Sequence, residues 1–307
     1  MQQDKHPLVA IKCLVFNHEP YLRDCLNGFV MQQTDFPFVA IVHDDASTDH
    51  SADIIREYAA KYPDIIRPIY ETENQYSKPD GSLGRIMNAA VDATGAKYIA
   101  VCEGDDYWTD PRKLQKQVDF LESHPDYSMC FHGAEILNTI GITPSIHCTD
   151  IEDRDYCATE VFERWVVPTA SIVYRKENVE AYPIKHKEWI LYGDIILVEK
   201  CCHVGKIRGF SDSMSVYRMQ GDSMIHSPRY KAIKLQKAPL GFKCIYLNFN
   251  KIDKNTIRWC ISQAYYSRSK VSTRPIVKRI WDICCSFYWM PNIMLSKVKN
   301  KLVCSKH

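Results

Sequence analysis

The chain has 307 residues, 46% of them hydrophobic and 25% charged, which excludes a disordered or collagen-like chain and points to a globular domain with an appendage. No stretch approaches the ~20 apolar residues that a bilayer span needs, and Met1 to Pro7 lacks the apolar core of a signal peptide, so a cytosolic protein is expected. The net charge is only +2, yet residues 1–227 hold 22 Lys/Arg against 35 Asp/Glu (net −13), whereas residues 228–307 hold 17 against 2 (net +15); the tail is a separate electrostatic object.

In chain order, Val9 to Phe16, Val39 to Val42, Ile66 to Tyr70 and Tyr98 to Cys102 read as strands, near-continuously apolar as in a sheet covered on both faces. Between them, Glu19 to Gln32 and Asp49 to Tyr62 carry apolar residues at helical spacing. Asp110 and Pro111 open a further helix that Pro125 stops. This alternation predicts an α/β fold with a mainly parallel sheet. From Tyr127 the pattern changes to separated strands (Ser128 to Leu137, Ser171 to Tyr174, Met214 to Arg218) and an apolar helix around Trp189 to Cys202. Beyond Pro228 the chain reads as helical, with weak boundaries at Pro239 and Pro275, so residues 1–227 are taken as one domain and 228–307 as a basic helical region.

The 13 cysteines are odd in number and form no Cys-x-x-Cys pair, which argues for reduced, mostly buried thiols. His147 with Cys148 and Cys202 with His203 lack finger-like zinc spacing.

Ligands of an open α/β sheet sit beyond the carboxyl ends of its strands. There the sequence places Phe16-Asn17-His18-Glu19 after the first strand, Asp44 to Asp49 after the second, and Glu103-Gly104-Asp105-Asp106 after the fourth. Three carboxylates within four residues repel one another unless a cation sits among them, and Mg2+ or Mn2+ suits such oxygen ligands. A solvated acidic turn before the helix at Pro111 is the competing reading.

These three segments in this order resemble glycosyltransferase family 2, the inverting nucleotide-sugar transferases with a GT-A fold. The resemblance covers about residues 7 to 225. "VAIKCLVFNHEPYLRDCL" is similar to the family's first strand and helix, "IVHDDASTDHSADII" to its uracil-binding loop, and "GAKYIAVCEGDDYWTDPRKLQKQVDFL" to its Asp-x-Asp segment. It implies a Rossmann-like mixed sheet flanked by helices, and a nucleotide-sugar site drawing on Phe16, Asn17, Glu19, Asp45, Arg85, Asn88, Glu103 and Asp106. Asp45 would meet the nucleobase with Phe16 beside it, Glu103 the ribose, and Asp105 a Mn2+ or Mg2+ ion on the diphosphate. Arg85 and Asn88 lie in "GSLGRIMNAA", similar to a donor-pocket segment; a solvated role at a helix start is an equal alternative for Arg85. "WILYGDIILVEK" resembles the segment of the general base, here Asp194. In "SVYRMQGDSMIHS", Gln220 stands where some relatives have a histidine near the metal, and His226 is a nearby substitute.

The resemblance implies transfer of a hexosyl or N-acetylhexosaminyl group from a UDP-type donor to a hydroxyl of a glycan or lipid-linked acceptor, in cell-surface polysaccharide synthesis. A catalytically silent scaffold of a glycan-assembly complex is the alternative. A nucleotidyltransferase lacks its Gly-rich triphosphate loop. The basic tail, with Lys278, Arg279, Lys297, Lys299 and Lys301 around "IWDICCSFYWMPNIML", is expected on an anionic membrane at the inner face of the cell, although Asp282 and Pro291 interrupt the apolar face. Packing of that helix on the protein is the other reading; nucleic acid is not an expected partner, because the acidic body repels phosphate.

Overall fold

The computed structural model describes residues 6–78, 80–141, 146–220 and 228–291, with the side chains of 228 and 229 left aside. Two compact units emerge: Met1–Tyr182 with Val204–Gln220, and Pro183–His203 with Gly221–His307. The sequence division at 227/228 follows chain order, whereas the segment 183–203 groups with the C-terminal helices.

The first unit is built on one nine-stranded sheet. β1 (Val9–Val15), β2 (Phe38–Asp44), β3 (Ile66–Tyr70) and β4 (Tyr98–Val101) are parallel, in the order β3-β2-β1-β4. All of β2 is buried, which explains its apolar run from Phe38 to Val42. In β1, Val9, Ile11, Cys13 and Val15 enter one core cluster with Leu22, Cys25, Leu26 and Phe29 of α1 (Glu19–Val30). That stripe has the i, i+3, i+4, i+7 spacing of a helix packed on a sheet. α2 (Ser51–Lys61) adds Ile54, Ile55 and Tyr58. α3 (Ser82–Asp92) precedes β4. Strand order turns back between β1 and β4, so their carboxyl ends border a crevice.

The sheet continues through β8 (Val173–Arg175), β6 (Tyr127–Asn138), β9 (Lys206–Met219) and β5 (Tyr107–Trp108), with β7 (Asp155–Tyr156) also on β9. β8 runs antiparallel to both β4 and β6, which makes the sheet mixed as expected. β9 begins well before the expected Met214, pairing with β6 through irregular register at His132 to Ala134. α4 (Lys113–Ser123), α5 (Ala158–Arg164) and α6 (Lys176–Ala181) complete this unit.

The second unit is helical: α7 (Gly193–Val204, its last residue in the first unit), α8 (Pro228–Asn248), α9 (Lys254–Ser269) and α10 (Ile276–Trp289). Pro239 sits inside α8 rather than ending it, and Pro275 is the N-cap of α10. Cys244, Ile245, Phe249, Ile252, Ile257 and Ile261 are fully buried. Asp253 caps α9 by accepting the Thr256 N–H at 2.8 Å.

Candidate functional site

The ends of β1, β2 and β4 converge through backbone hydrogen bonds. Asp45 N–H donates to the Val15 carbonyl at 2.9 Å and Gly104 N–H to the Leu14 carbonyl at 3.0 Å. The last two residues of β1 therefore hold the loop after β2 on one side and the acidic turn after β4 on the other. Trp108 fixes the far side of that turn: its indole N–H donates to the Ala170 carbonyl at 2.8 Å, and its ring meets Phe29 edge-on at 4.9 Å. Gly28 lets α1 come this close, because a Cβ there would lie 2.9 Å from the backbone nitrogen of Trp108.

The loops after β1 and β2 are laced together. Asn17, at φ 56°, donates its N–H to Ser47 Oγ (2.9 Å) and accepts the Thr48 N–H on Oδ1 (2.8 Å). Glu19 N–H donates to Asp49 Oδ2 (3.0 Å), and Glu19 Oε2 accepts the His50 N–H (3.1 Å). Asn17 and Glu19 thus tie the loop after β1 to the loop after β2, while Phe16 stands 45% exposed at the head of the first. Asp45 is buried, its two carboxylate oxygens accepting the N–H groups of Gln75 (2.6 Å) and Tyr76 (3.0 Å). Each oxygen keeps a second acceptor position.

In the acidic turn the three carboxylates differ. Glu103 is exposed, Asp105 half-buried and Asp106 buried. Burial, then the neighbouring Asp105, pushes the Asp106 pKa well above the usual carboxylate range. Arg218 of β9 binds this turn from the opposite strand. Its backbone N–H donates to Asp106 Oδ1 (2.9 Å), its guanidinium donates to the Asp105 carbonyl (3.0 Å) and to Asp24, and it lies 4.4 Å from the Tyr107 ring centroid. In the sequence Arg218 stands inside "SVYRMQGDSMIHS" with no role of its own; its place two residues before Gln220, at a strand end, is the signal for one. Burial lowers the pKa of His18, opposed by Asp105 and Asp49, and its Nδ1 has no hydrogen-bond partner.

Arg85 and Asn88 hydrogen-bond elsewhere. The Arg85 guanidinium donates to the carbonyl and carboxylate of Asp80 at the start of α3, and Asn88 Oδ1 accepts from Lys12 Nζ at 3.0 Å. Asp194 belongs to the helical unit and is the second residue of α7. Sequence reading set it inside an apolar helix; it instead occupies the first turn, where the helix dipole favours a carboxylate. Its Oδ1 accepts the Ile195 N–H at 2.9 Å, and burial raises its pKa.

Residues 13–175 match the family model described as Glycosyl transferase family 2. The chain belongs to glycosyl transferase family 2. An uncharacterized protein of Mycobacterium tuberculosis is 34% identical over 227 residues, 71% of this chain and 61% of that protein. An uncharacterized glycosyltransferase of Nostoc sp. is 28% identical over 212 residues, 67% of this chain and 63% of that one. The chain therefore spans less than two thirds of the length of these relatives. Among solved structures, S. aureus TarS 1-349 in complex with UDP-GlcNAc superposes with a TM-score of 0.63 at 16% identity, covering 93% of this chain and 82% of TarS 1-349. The mannosyltransferase PcManGT from Pyrobaculum calidifontis, in complex with GDP-Man and Mn2+, gives 0.53 at 13% identity, covering 99% and 82%. At such identities the likeness is one of fold, and the family 2 chain has the GT-A architecture.

The donor atoms of the family 2 turn fit a hard cation. Gln220 Nε2 donates to Asp105 Oδ2 at 3.2 Å, while Gln220 Oε1 is buried with no hydrogen-bond partner. The Asp105 carboxylate is a hard oxygen donor of the kind Mg2+ and Mn2+ take, and Gln220 Oε1 would join it with the amide turned over, since the amide N–H is what faces Asp105. Among the described residues no group of three or more His, Cys, Asp or Glu side chains is placed to hold a metal ion, so the remaining ligands would be phosphate and water. His226 lies outside the described residues.

Proposed function

We propose that the chain is an inverting glycosyltransferase that moves a hexosyl or N-acetylhexosaminyl group from a UDP-type donor to a hydroxyl of a glycan or lipid-linked acceptor, in cell-surface polysaccharide synthesis. The observation that carries this reading is the acidic turn pinned to Leu14, beside Asp45 pinned to Val15. In this reading one strand end carries both the carboxylate assigned to the nucleobase and the turn assigned to the diphosphate and its metal, where open α/β sheets bind nucleotides. The family membership and the nucleotide-sugar complex of TarS support it.

In this reading Asp45 accepts a ring N–H of the base on a remaining lone pair, with Phe16 against the base. Glu103 reaches the ribose. Asn17 and Glu19 hold the cleft wall, Asp106 orients the turn through Arg218, and Arg85 and Asn88 border the donor pocket. Asp105 and Gln220 would hold Mn2+ or Mg2+, which supplies Lewis-acid neutralisation of the leaving diphosphate. Asp194 takes the acceptor proton as general base; burial keeps its basicity above that of a solvated aspartate. Residues 1–227 form the catalytic region. Residues 228–307 are a basic appendage that keeps the protein, otherwise cytoplasmic, at the inner face of the cell membrane.

The test is to incubate the purified chain with a panel of nucleotide sugars and Mn2+ or Mg2+. Release of nucleoside diphosphate from a UDP-sugar, abolished by chelator, is the expected result. Release of pyrophosphate, or no turnover with any donor and acceptor, rejects the reading.

A further inference from the structure

α10 is built inside out. The helix buries Asp282 and Ser286, both fully, and turns most of its large apolar residues to the outside, Trp289 excepted, which packs on Tyr246 at 5.2 Å. Val277 is 74% exposed, Trp281 67% and Tyr288 81%, with Ile276, Ile280 and Ile283 also exposed. At 100° per residue these six, with Cys284 and Phe287, share one arc of roughly 160° that contains no charged side chain.

The inner face is a set of specific polar contacts. Ser262 and Ser286 exchange hydrogen bonds, each hydroxyl donating to the other's carbonyl at 3.0 and 2.8 Å. Asp282 accepts from Arg268 Nη2 at 2.6 Å and from Arg274 Nε at 2.9 Å, and Arg279 Nε donates to the Ser269 carbonyl at 2.8 Å. Those bonds fix the rotation of α10 on α9 and turn its one acid away from the outer arc. The interruption that Asp282 makes in the sequence is therefore absent from the outer surface.

Charge selects the occupant. Residues 228–307 contain 17 Lys/Arg against Asp253 and Asp282 alone; the first caps α9 and the second is neutralised by two arginines. Lys278 flanks the apolar arc and is exposed. A second copy docking face to face would bring two helical regions of net positive charge together. An anionic bilayer answers both features, taking the apolar arc below its headgroups and lysines at them, with Trp281 and Tyr288 at the boundary. No described helix is long and apolar enough to cross a membrane, so α10 would lie along the surface.

We propose that the outer arc of α10, centred on Val277, Ile280, Trp281 and Tyr288, is an in-plane docking face for anionic lipid. It rests on the reading of the basic region as a membrane contact and is independent of the transferase reaction. The test uses the full chain with phosphatidylglycerol-containing and pure phosphatidylcholine vesicles, separated by flotation. The parent is expected to float with the anionic vesicles. The double variant Ile280→Glu/Trp281→Glu, whose sites are solvent-facing, is expected to lose roughly tenfold or more of that partition, while Trp281→Phe retains it. Melting curves establish that both variants fold, and Val277→Glu serves as a second probe of the arc. Partition of the parent that neither glutamate variant changes overturns the docking face and leaves the wider membrane reading standing. No partition of the parent rejects both, and concentration-dependent dimerisation lost in the glutamate variants would assign the arc to a second copy instead.

Discussion

A Cβ on residue 104 would lie 2.7 Å from Nδ1 of His18 and 3.0 Å from Cγ2 of Val15. Gly104 is therefore what lets the acidic turn lie directly on the end of β1. Gly104→Ala should push the turn off the strand, costing about 1–3 kcal/mol of stability by overpacking and weakening nucleotide binding more than a surface substitution does. Thermal melts and calorimetry with UDP and Mn2+ check this. A parent-like melt with parent-like affinity would show that the turn tolerates displacement.

The parallel half of the sheet was legible because β1, β2 and β4 are β-branched runs whose apolar continuity follows from cover on both faces. The site was legible as three segments but not as a network. That Asp45 is held by the N–H groups of Gln75 and Tyr76, and Asp106 by that of Arg218, depends on backbone donors brought together from 30 and 112 residues away. Side-chain identity does not encode such contacts. β9 extends further than its apolar pattern because Gly209, Ser211, Asp212 and Ser213 break the alternation, while the strand pairs with β6 at Gly209, Phe210 and Ser213 and leaves Ser211 and Asp212 in an irregularity of the register. By spacing alone Asp282 interrupts an apolar helix face; in the fold it is buried against Arg268 and Arg274, partners that helix periodicity does not encode.

Asp105 and Gln220 make a second prediction. Asp105→Ala removes the carboxylate and should abolish metal-dependent nucleotide binding while leaving the fold intact, since the hydrogen bonds from Arg218 to this segment go to the Asp105 carbonyl and to Asp106. Gln220→His replaces an amide oxygen with an imidazole, a better ligand for Mn2+, and should tighten Mn2+ binding in the presence of UDP. Calorimetric titration of both variants reads the outcome. Unaltered metal affinity in each would remove these residues from the metal site.

Glu199 gives a stability prediction outside the site. It is 1% exposed in α7, neither carboxyl oxygen has a hydrogen-bond partner, and burial pushes its pKa up to about 8. A folded pKa raised above the unfolded one means that the folded chain holds a proton the unfolded chain has lost. The stability contribution is thus present below the unfolded pKa, near 4.5, and is lost as pH rises towards about 8. Glu199→Gln removes the titration, so its melting temperature should exceed that of the parent by a margin that grows between pH 5 and pH 8. A margin independent of pH would mean that the carboxyl does not titrate in this window.

Asp194 is the last case, and its test separates a base from a structural carboxylate. Asn preserves the side-chain shape and the acceptor for the Ile195 N–H but has no basicity. Asp194→Asn should therefore lower turnover by roughly 10²–10⁴ with donor affinity near that of the parent. The pH profile adds a second signature. A general base works deprotonated, so the rate should fall on the acid side as pH drops through its pKa. Burial has raised that pKa, so the acid limb should lie above that of a solvated aspartate, and it should vanish from the residual activity of Asp194→Asn. Unchanged turnover would remove the base role. Lost donor binding would place the carboxylate with the nucleotide, and a lowered melting temperature with proportionate loss of activity would make it a support for the first turn of α7.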